Sequence, residues 1–299
     1  MALSSLPDAD ELRAFLTAYP GVVAVAQPVP TGLVDTWRLA TESGPRLLSL
    51  FVQDAAAAAE QGAARLGRLR EAGVPAASPL ADRTGHLVGR LGAFPAMLLL
   101  PPPGESLPEC AAVHCAAVGE ALAGLHRLPA DADAAPRPGV REQAQALPPA
   151  LPTEDAGLVQ DELRFQGLYR LNDLPRGLVH GGPMRAALFE GERLGGLLGL
   201  ERAGEDVLLR DLAAVAVAGC TSSGGALDPS RVLALLGAYH ALRRLKPIER
   251  GAWPVALRGE ALRRWLDALE AGAADEARSA KTLLLACREG ERELARLWP

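Results

Sequence analysis

Residues 177–187 read Gly177-Leu178-Val179-His180-Gly181-Gly182-Pro183-Met184-Arg185-Ala186-Ala187. The apolar run before His180 predicts a buried strand, and the glycines and proline after it predict a loop. A second short strand is predicted at Leu188–Phe189, with Glu190-Gly191-Glu192-Arg193 as a hairpin turn and Leu194–Leu200 as the return strand. This hairpin stands alone in a half of the chain that otherwise predicts helices.

The first hundred residues predict a mixture of helix and strand. The predicted helices cover about 7–18 and 54–72, and a β-prone run covers 22–28. Hairpins are predicted from 32–40 with 46–52, and from 85–91 with 96–100, because turn residues separate β-prone runs. These elements predict an antiparallel sheet in this part of the chain.

The segment Pro101-Pro102-Pro103-Gly104 is the predicted boundary between two lobes. Proline supplies no donor to a strand ladder and presets an extended backbone. Helices are predicted beyond it at about 107–128, 154–171, 228–245, 253–271 and 274–297, while 129–153 predicts a poorly ordered connection or a loose helical stretch. The predicted domains are therefore 1–100, a β-rich lobe, and 101–299, a helical lobe that contains the hairpin.

Composition excludes several classes of protein. The 299 residues are 49% hydrophobic and 22% charged with a net charge of -5, which is typical of a globular protein and unlike a nucleic-acid-binding one. No apolar run is long enough to cross a membrane. The four cysteines form no C-x-x-C pair, so we expect buried thiols in a cytoplasmic protein.

Several segments, in the right order, resemble the type II homoserine kinases of the aminoglycoside phosphotransferase and choline kinase superfamily. The segments are Gly32–Leu39, Arg46–Phe51, Pro79–Gly85, Ala112–His126, Arg210–Ala213 and Ala226–Arg231. The resemblance implies an α+β, bilobal protein-kinase-like fold, with a small N-terminal antiparallel sheet lobe and a larger helical C-terminal lobe. It also implies a site that transfers a phosphoryl group from ATP with magnesium.

This chain departs from the family pattern at the positions that carry the chemistry. The family pattern H-x-D-x-x-x-x-N begins at His180, but Gly182 stands where the catalytic Asp belongs, and Ala186 or Ala187 stands where the metal-binding Asn belongs. The second metal-binding Asp corresponds to Gly199. Phosphoryl transfer depends on such groups for positioning and charge neutralisation, and magnesium requires oxygen ligands.

The first lobe also lacks the family's polar groups. Val34, Asp35 and Trp37 replace its Glu and two Asn residues, and Ser49 stands where a phosphate-contacting lysine could lie. The only lysines are Lys246 and Lys281, so no lysine can act there.

The predicted vestigial cleft positions are Ser49, Leu99, His180, Gly182, Arg185, Ala187, Gly199 and Asp211. Three of the polar members have two interpretations each. His180 is either a buried loop residue bonded to backbone or an acid-base group. Asp211 is a helix N-cap or loop brace, or else a metal ligand. Arg185 is a solvated loop residue or a phosphate contact.

Three further groups need an interpretation. His114 and His126 are expected only to pack on their helix. Glu201, Glu205 and Asp206 are expected to form an acidic loop, with a displaced metal site as the alternative.

Two functions follow, and a third is weaker. The first is a catalytically silent member of the family that binds a small molecule or a protein partner, with no catalytic residue, metal or cofactor. The second is an active kinase of homoserine or another small amino alcohol, which would use ATP and magnesium through relocated carboxylates. The segment His180-Gly181-Gly182 is also similar to a lipase oxyanion segment, but no G-x-S-x-G nucleophile segment is present. We expect neither a nucleic acid nor a membrane as partner.

Overall fold

The computed structural model describes residues 8–22, 29–30, 33, 35–129, 136–146, 151–169, 173–222 and 224–298. The predicted strand at 22–28 therefore lies almost entirely outside the described residues. The described chain divides into two compact units. Unit 1 comprises Met1–Ser106 and Arg185–Ala203, and unit 2 comprises Leu107–Met184 and Gly204–Pro299.

Unit 1 is built on an antiparallel sheet with two helices. Its strands are β1 (Val29–Pro30), β2 (Thr36–Thr41), β3 (Gly44–Leu50), β4 (Ser78–Pro79), β5 (Gly89–Leu91) and β6 (Phe94–Leu100). The order is β1-β2-β3-β6-β4, and β5 also pairs with β6. Helix α1 (Ala9–Thr17) begins after Asp8, whose carboxylate accepts from the Asp10 N–H, and the Ala-rich helix α2 (Ala56–Glu71) follows the first hairpin.

The core of unit 1 lies between α1 and the sheet. Buried and exposed residues alternate along most of β2, whereas the last four residues of β3 are all buried, as in a strand that is covered on both faces. The buried set contains Phe15, Leu16, Trp37, Leu39, Leu48, Leu50 and Leu98. Unit 1 also holds the hairpin of β8 (Ala187–Glu190) and β9 (Arg193–Leu197), which backbone hydrogen bonds join to Glu105 and Pro75.

Unit 2 is mainly helical. Its helices are α3 (Ala112–Leu125), α4 (Val140–Ala146), α5 (Thr153–Gly167), α7 (Leu208–Gly219), α8 (Pro229–Leu242), α9 (Pro247–Glu270), α10 (Ala274–Glu289) and α11 (Glu291–Leu294). Helix α3 packs on α8, and α9 packs on α7 and α10. Strand β7 (Arg176–Val179) pairs with β10 (Gly204–Val207).

Three predicted boundaries were wrong for identifiable reasons. The loop after His180 contains a short helix, α6 (Pro183–Ala186). The return strand ends at Leu197, because the backbone at Gly199 is left-handed and a 3₁₀ turn follows at Leu200–Arg202. Helix α9 begins at Pro247 and not at Trp253, since the Glu249 carboxylate accepts from the Lys246 N–H and caps it.

The acidic loop expected at Glu205-Asp206 is a strand. Both residues belong to β10, where Glu205 pairs with Leu178 and Asp206 with Gly177 of β7. The charge of each is compensated by an arginine: Arg176 lies 3.2 Å from the Glu205 carboxylate, and Arg210 lies 2.7 Å from that of Asp206. Because each carboxylate lies beside an arginine of opposite charge, two adjacent acidic residues can stand in this strand.

Candidate functional site

The predicted site residues fall in both units. His180, Gly182 and Asp211 belong to unit 2, while Ser49, Leu99, Arg185, Ala187 and Gly199 belong to unit 1. Each group is best understood from its own unit.

In unit 2, Asp211 holds the loop that follows β7. One carboxylate oxygen accepts from the His180 N–H at 2.6 Å, and the other accepts from the Gly181 N–H at 2.6 Å. Asp211 is 1% exposed and lies in the first turn of α7, so the N-cap interpretation was wrong and the loop-brace interpretation describes its contacts. Both carboxylate oxygens are therefore engaged with the loop backbone.

His126 continues this network into the helices. Its Nε2 lies 3.2 Å from an Asp211 oxygen, and its Nδ1 lies 2.8 Å from the Tyr239 hydroxyl. The expectation that His126 only packs was wrong, because both ring nitrogens are bonded within the core. Burial raises the pKa of Tyr239, so the phenol stays neutral. His114 also does more than pack, since its Nδ1 accepts from the Ala111 N–H at the start of α3.

The charge state of Asp211 follows from the same contacts. Burial alone would raise its pKa, but the hydrogen bond and charge of His126, the charge of His180 and the His180 N–H together lower the pKa below its ordinary value. Asp211 is therefore an ionised carboxylate in the core, stabilised by the loop it holds.

The loop itself is held from its other side by Arg137. The guanidinium donates to the His180 carbonyl at 2.5 Å and to the Gly181 carbonyl at 3.2 Å. Gly181 has a φ of +83°, and a Cβ there would lie 1.6 Å from Arg137 Nη1. At Gly182, by contrast, no atom of the described residues beyond its chain neighbours lies within 4 Å of where a Cβ would stand. The sequence pattern did not identify Arg137, because it lies in the Pro-rich stretch before α4.

In unit 1, Ser49 is fully buried on β3 and bonded to Glu201. Its hydroxyl donates to Glu201 Oε1 at 2.9 Å. The Glu201 carbonyl accepts from Arg65 Nη1 at 2.7 Å, and a Cβ at Gly62 would lie only 2.7 Å from that carbonyl oxygen. Glu201 is 1% exposed, so it belongs to a turn docked on α2 and not to an acidic surface loop.

Arg202 completes the surroundings of Ser49. Its guanidinium carbon lies 4.3 Å from the centroid of the Phe51 ring, and Nη2 lies 3.2 Å from the Ser49 hydroxyl and donates to the Leu50 carbonyl. Burial lowers the pKa of Arg202, opposed by the negative charges of Glu201 and Asp35. Protein side chains thus occupy the space around the serine.

The other unit 1 positions offer no polar group to a phosphate except Arg185. Leu99 is buried on β6 and pairs with Leu47, and Ala187 is buried on β8 and pairs with Leu197. Gly199 has a φ of +80°. Arg185 is exposed in α6.

Magnesium does not fit the residues that the family pattern assigns to it. Gly199 and either Ala186 or Ala187 stand at the metal-binding positions, and none of them carries the side-chain oxygen that the ion requires. Within the part of the chain that the structure describes, no group of three or more His, Cys, Asp or Glu side chains could hold a metal ion. No described helix has the length and apolar character needed to cross a membrane.

A family model described as a phosphotransferase enzyme family matches residues 25–248. This chain belongs to that phosphotransferase enzyme family. This chain is 32% identical over 269 residues to the homoserine kinase of Methylobacillus flagellatus. The alignment covers 87% of this chain and 84% of that relative. This chain is also 32% identical over 271 residues to the homoserine kinase of Beijerinckia indica, covering 85% and 83%. The homoserine kinase-like resemblance is confirmed.

Solved structures confirm the fold of this phosphotransferase-family chain. A microcompartment-associated aminopropanol kinase superposes with a TM-score of 0.69 at 17% identity, covering 97% of this chain and 98% of that one. An aminoglycoside phosphotransferase from Alicyclobacillus acidocaldarius superposes with a TM-score of 0.65 at 16% identity, with the same coverage. The predicted α+β, protein-kinase-like class is thereby confirmed.

Proposed function

We propose that this homoserine kinase-like protein is catalytically silent and acts by binding a small molecule or a protein partner. The observation that carries the proposal is the loss of the catalytic base at Gly182 together with the metal ligands at Ala186 or Ala187 and at Gly199. A phosphoryl-transfer site without its base and its metal ligands lacks both the group that orients the acceptor and the charge compensation.

Two buried carboxylates that follow these positions in the chain support the proposal. Both carboxylate oxygens of Asp211 accept hydrogen bonds from the loop backbone. Glu201 accepts a hydrogen bond from the Ser49 hydroxyl within unit 1. Asp211 would have to break those bonds before it could serve a metal ion, and Glu201 is 1% exposed with one oxygen bonded to Ser49.

The second candidate is an active ATP-dependent kinase of homoserine or another small amino alcohol. The two homoserine kinases that align over most of their length favour it. It would require carboxylates relocated from the family positions to hold magnesium, and the candidates by chain position are Glu201, Glu205 and Asp206.

A turnover assay separates the two functions. The purified chain is incubated with Mg-ATP, with homoserine or each member of a panel of amino alcohols, and ADP release is followed. We expect no release above background. Turnover that Glu201→Gln or Asp206→Asn abolishes, and that the surface variant Asp161→Asn leaves unchanged, would overturn the proposal.

Nucleotide binding is measured separately by thermal unfolding. A ligand raises stability only as far as it binds the native state. We therefore expect little or no rise in the melting temperature with Mg-ATP, and a saturable rise at micromolar ATP would show that nucleotide binding persists without catalysis.

A restoration experiment is a harder test of the same proposal. The double variant Gly182→Asp with Gly199→Asp returns two carboxylates. We expect it not to restore turnover, because the metal-binding Asn is still missing at Ala186 or Ala187 and the loop is one residue shorter than the family pattern. Turnover by the double variant would contradict this expectation.

A further inference from the structure

Two cysteine side chains of unit 2 lie in direct contact. The Cys220 thiol donates to the Cys115 sulfur, with 3.6 Å between the two Sγ atoms. Both side chains are fully buried, and both residues belong to unit 2. They are 105 residues apart in the sequence, so the fold brings these thiols together without any local C-x-x-C spacing.

Two helices hold the thiols in place. Cys115 lies near the start of α3, and Cys220 directly follows the last residue of α7. The Cys115 thiol donates in turn to the Gly219 carbonyl at 3.7 Å, which directs its proton away from Cys220. The Cys115 sulfur is therefore the acceptor of the pair, and the Cys220 thiol is the donor.

The separation of the two sulfurs is close to what a bond between them requires. A disulfide has an S–S length of about 2.05 Å, so the sulfurs would have to approach by about 1.5 Å from their 3.6 Å contact. Cys220 stands beyond the regular backbone of α7, with a φ of -100° and a ψ of 19°. Its side chain can therefore turn toward Cys115 while α7 itself stays in place.

The two thiols differ in acidity. The hydrogen bond that Cys220 donates lowers the pKa of Cys115, and the positive charge of Arg231 acts in the same direction against burial. The same hydrogen bond, together with burial, raises the pKa of Cys220. The thiolate is the reactive form of cysteine, so Cys115 is the nucleophile of the pair and Cys220 the thiol that keeps its proton.

The turn that follows Cys220 gives a route to the buried pair. Gly224 and Ala226 of this turn are exposed, and the Ser222 N–H donates to the Ala226 carbonyl at 2.8 Å. Turns of this kind open locally at a much smaller free-energy cost than the whole domain. A molecule little larger than water, such as hydrogen peroxide, can reach the sulfurs when the turn opens.

We infer that Cys115 and Cys220 form an oxidation site, at which hydrogen peroxide converts the two thiols into a disulfide between α3 and the end of α7. The inference is independent of the function proposed above, because it involves neither nucleotide nor metal. Turnover of Mg-ATP, or its absence, leaves the inference unchanged.

The reaction takes two steps. The Cys115 thiolate attacks one peroxide oxygen, so that an S–O bond forms while the O–O bond breaks and hydroxide leaves; Cys115 is then a sulfenic acid. The Cys220 sulfur attacks the Cys115 sulfur, the S–S bond forms, and the hydroxyl group leaves with the Cys220 proton as water. The two thiols together lose two electrons and two protons, and one peroxide becomes two water molecules.

The test counts and locates the thiols of the full chain after oxidation. The reduced protein is treated with hydrogen peroxide, the excess is removed with catalase, and the remaining thiols are alkylated in denaturant. We expect two of the four thiols to escape alkylation, a mass lower by two hydrogens, and a Cys115–Cys220 cross-linked peptide that dithiothreitol cleaves. Four alkylated thiols, or a disulfide that joins any other pair, would overturn the inference.

Serine variants identify the role of each sulfur. Cys115→Ser and Cys220→Ser should each abolish the cross-link, whereas Cys287→Ser, which removes an equally buried thiol of α10, should leave it unchanged. In Cys220→Ser the sulfenic acid of Cys115 cannot be resolved, so dimedone added with denaturant should label Cys115. Label on Cys220 in Cys115→Ser, with none on Cys115 in Cys220→Ser, would reverse the proposed order of attack.

Thermal unfolding tests whether the disulfide forms within the native packing. A cross-link between residues so far apart restricts the unfolded chain, so the oxidised protein should melt roughly 3–6 °C above the reduced one. Cys287→Ser should show the same rise, and dithiothreitol should reverse it. A lower melting temperature after oxidation would show that the bond requires a distorted fold. Because wild type and Cys287→Ser alone decide this point, it stands even where a Cys115 variant does not fold.

Discussion

Replacing Asp211 by Asn tests whether this carboxylate is a structural brace. The substitution keeps the size of the side chain and removes its charge. The His180 and Gly181 N–H groups donate to different carboxylate oxygens, and an asparagine has an oxygen at only one of those two places. Its NH₂ group would then face the other backbone donor within a core where Asp211 is almost completely buried.

The contacts set the size of the effect. A hydrogen bond to a charged group contributes about 1.5–3 kcal/mol, and leaving a buried donor without a partner costs a similar amount. We therefore expect Asp211→Asn to lower the free energy of unfolding by about 3 kcal/mol. With an unfolding entropy of about 2.1 cal/mol/K per residue, a chain of 299 residues would show a fall in melting temperature of roughly 5 °C.

The pH dependence gives an independent check with a definite sign. The pKa of Asp211 in the folded chain lies below its ordinary value of about 3.9. The unfolded chain therefore binds this proton first as the pH falls, and the stabilisation is complete above that ordinary pKa. The difference in stability between wild type and Asp211→Asn should be constant above about pH 5 and shrink as the pH falls below about 4.

Urea unfolding and hydrogen exchange measure this prediction. Exchange of the His180 and Gly181 amides should become faster in the variant, because these two N–H groups donate to Asp211. The matched control is Asp161→Asn on the exposed face of α5, which should change little. Equal stability of wild type and Asp211→Asn at pH 7 would refute the role of Asp211 as a structural brace. Unchanged exchange of the His180 and Gly181 amides would refute it as well.

Glycine substitutions test two close approaches of the backbone. Gly181→Ala should destabilise the chain by about 2 kcal/mol or more, since its φ is +83° and a Cβ would collide with Arg137; a urea midpoint equal to wild type would contradict this. In α2, Gly62→Ala should destabilise because its Cβ would meet the Glu201 carbonyl at 2.7 Å, while Gly67→Ala, with no atom within 4 Å, should stabilise by about 0.5–1 kcal/mol. Thermal unfolding of the two variants measures both changes in stability. Changes of the same sign would contradict the close approach of Gly62 to the Glu201 carbonyl.

Local sequence signals predicted those elements whose stability depends on neighbouring residues. The hairpin of β2 and β3 follows from two β-prone runs and a turn at Glu42-Ser43. Helix α8 begins where Asp228 and Pro229 predict it, because the Asp228 carboxylate accepts from the Ser230 and Arg231 N–H groups. Caps and turns act over a few residues, so the sequence shows them directly.

Contacts between distant residues were beyond the sequence patterns. Arg137 lies 43 residues before the His180 carbonyl that it binds, and Ser49 lies 152 residues before Glu201. Strand β10 was not predicted for the same reason. Its acidic residues Glu205 and Asp206 predict a loop, because the sequence does not show that Arg176 and Arg210 pair with them. The order of segments predicted the fold class, whereas no local pattern could predict these pairings.

The lost and the retained carboxylates of the site region differ in what the fold requires of them. Asp211 stabilises the loop, the start of α7 and His126 at once, so its removal should be measurable as lost stability. At Gly182, no described atom lies within 4 Å of where a Cβ would stand, so a Cβ there would make no packing contact with the described residues. A group needed only for phosphoryl transfer can therefore be absent while the kinase-like scaffold remains stable. Unfolding experiments on Asp211 variants measure the stability of this loop, whereas turnover experiments on Gly182 variants measure its catalytic activity. A stable fold is therefore no evidence that the chain is catalytically active.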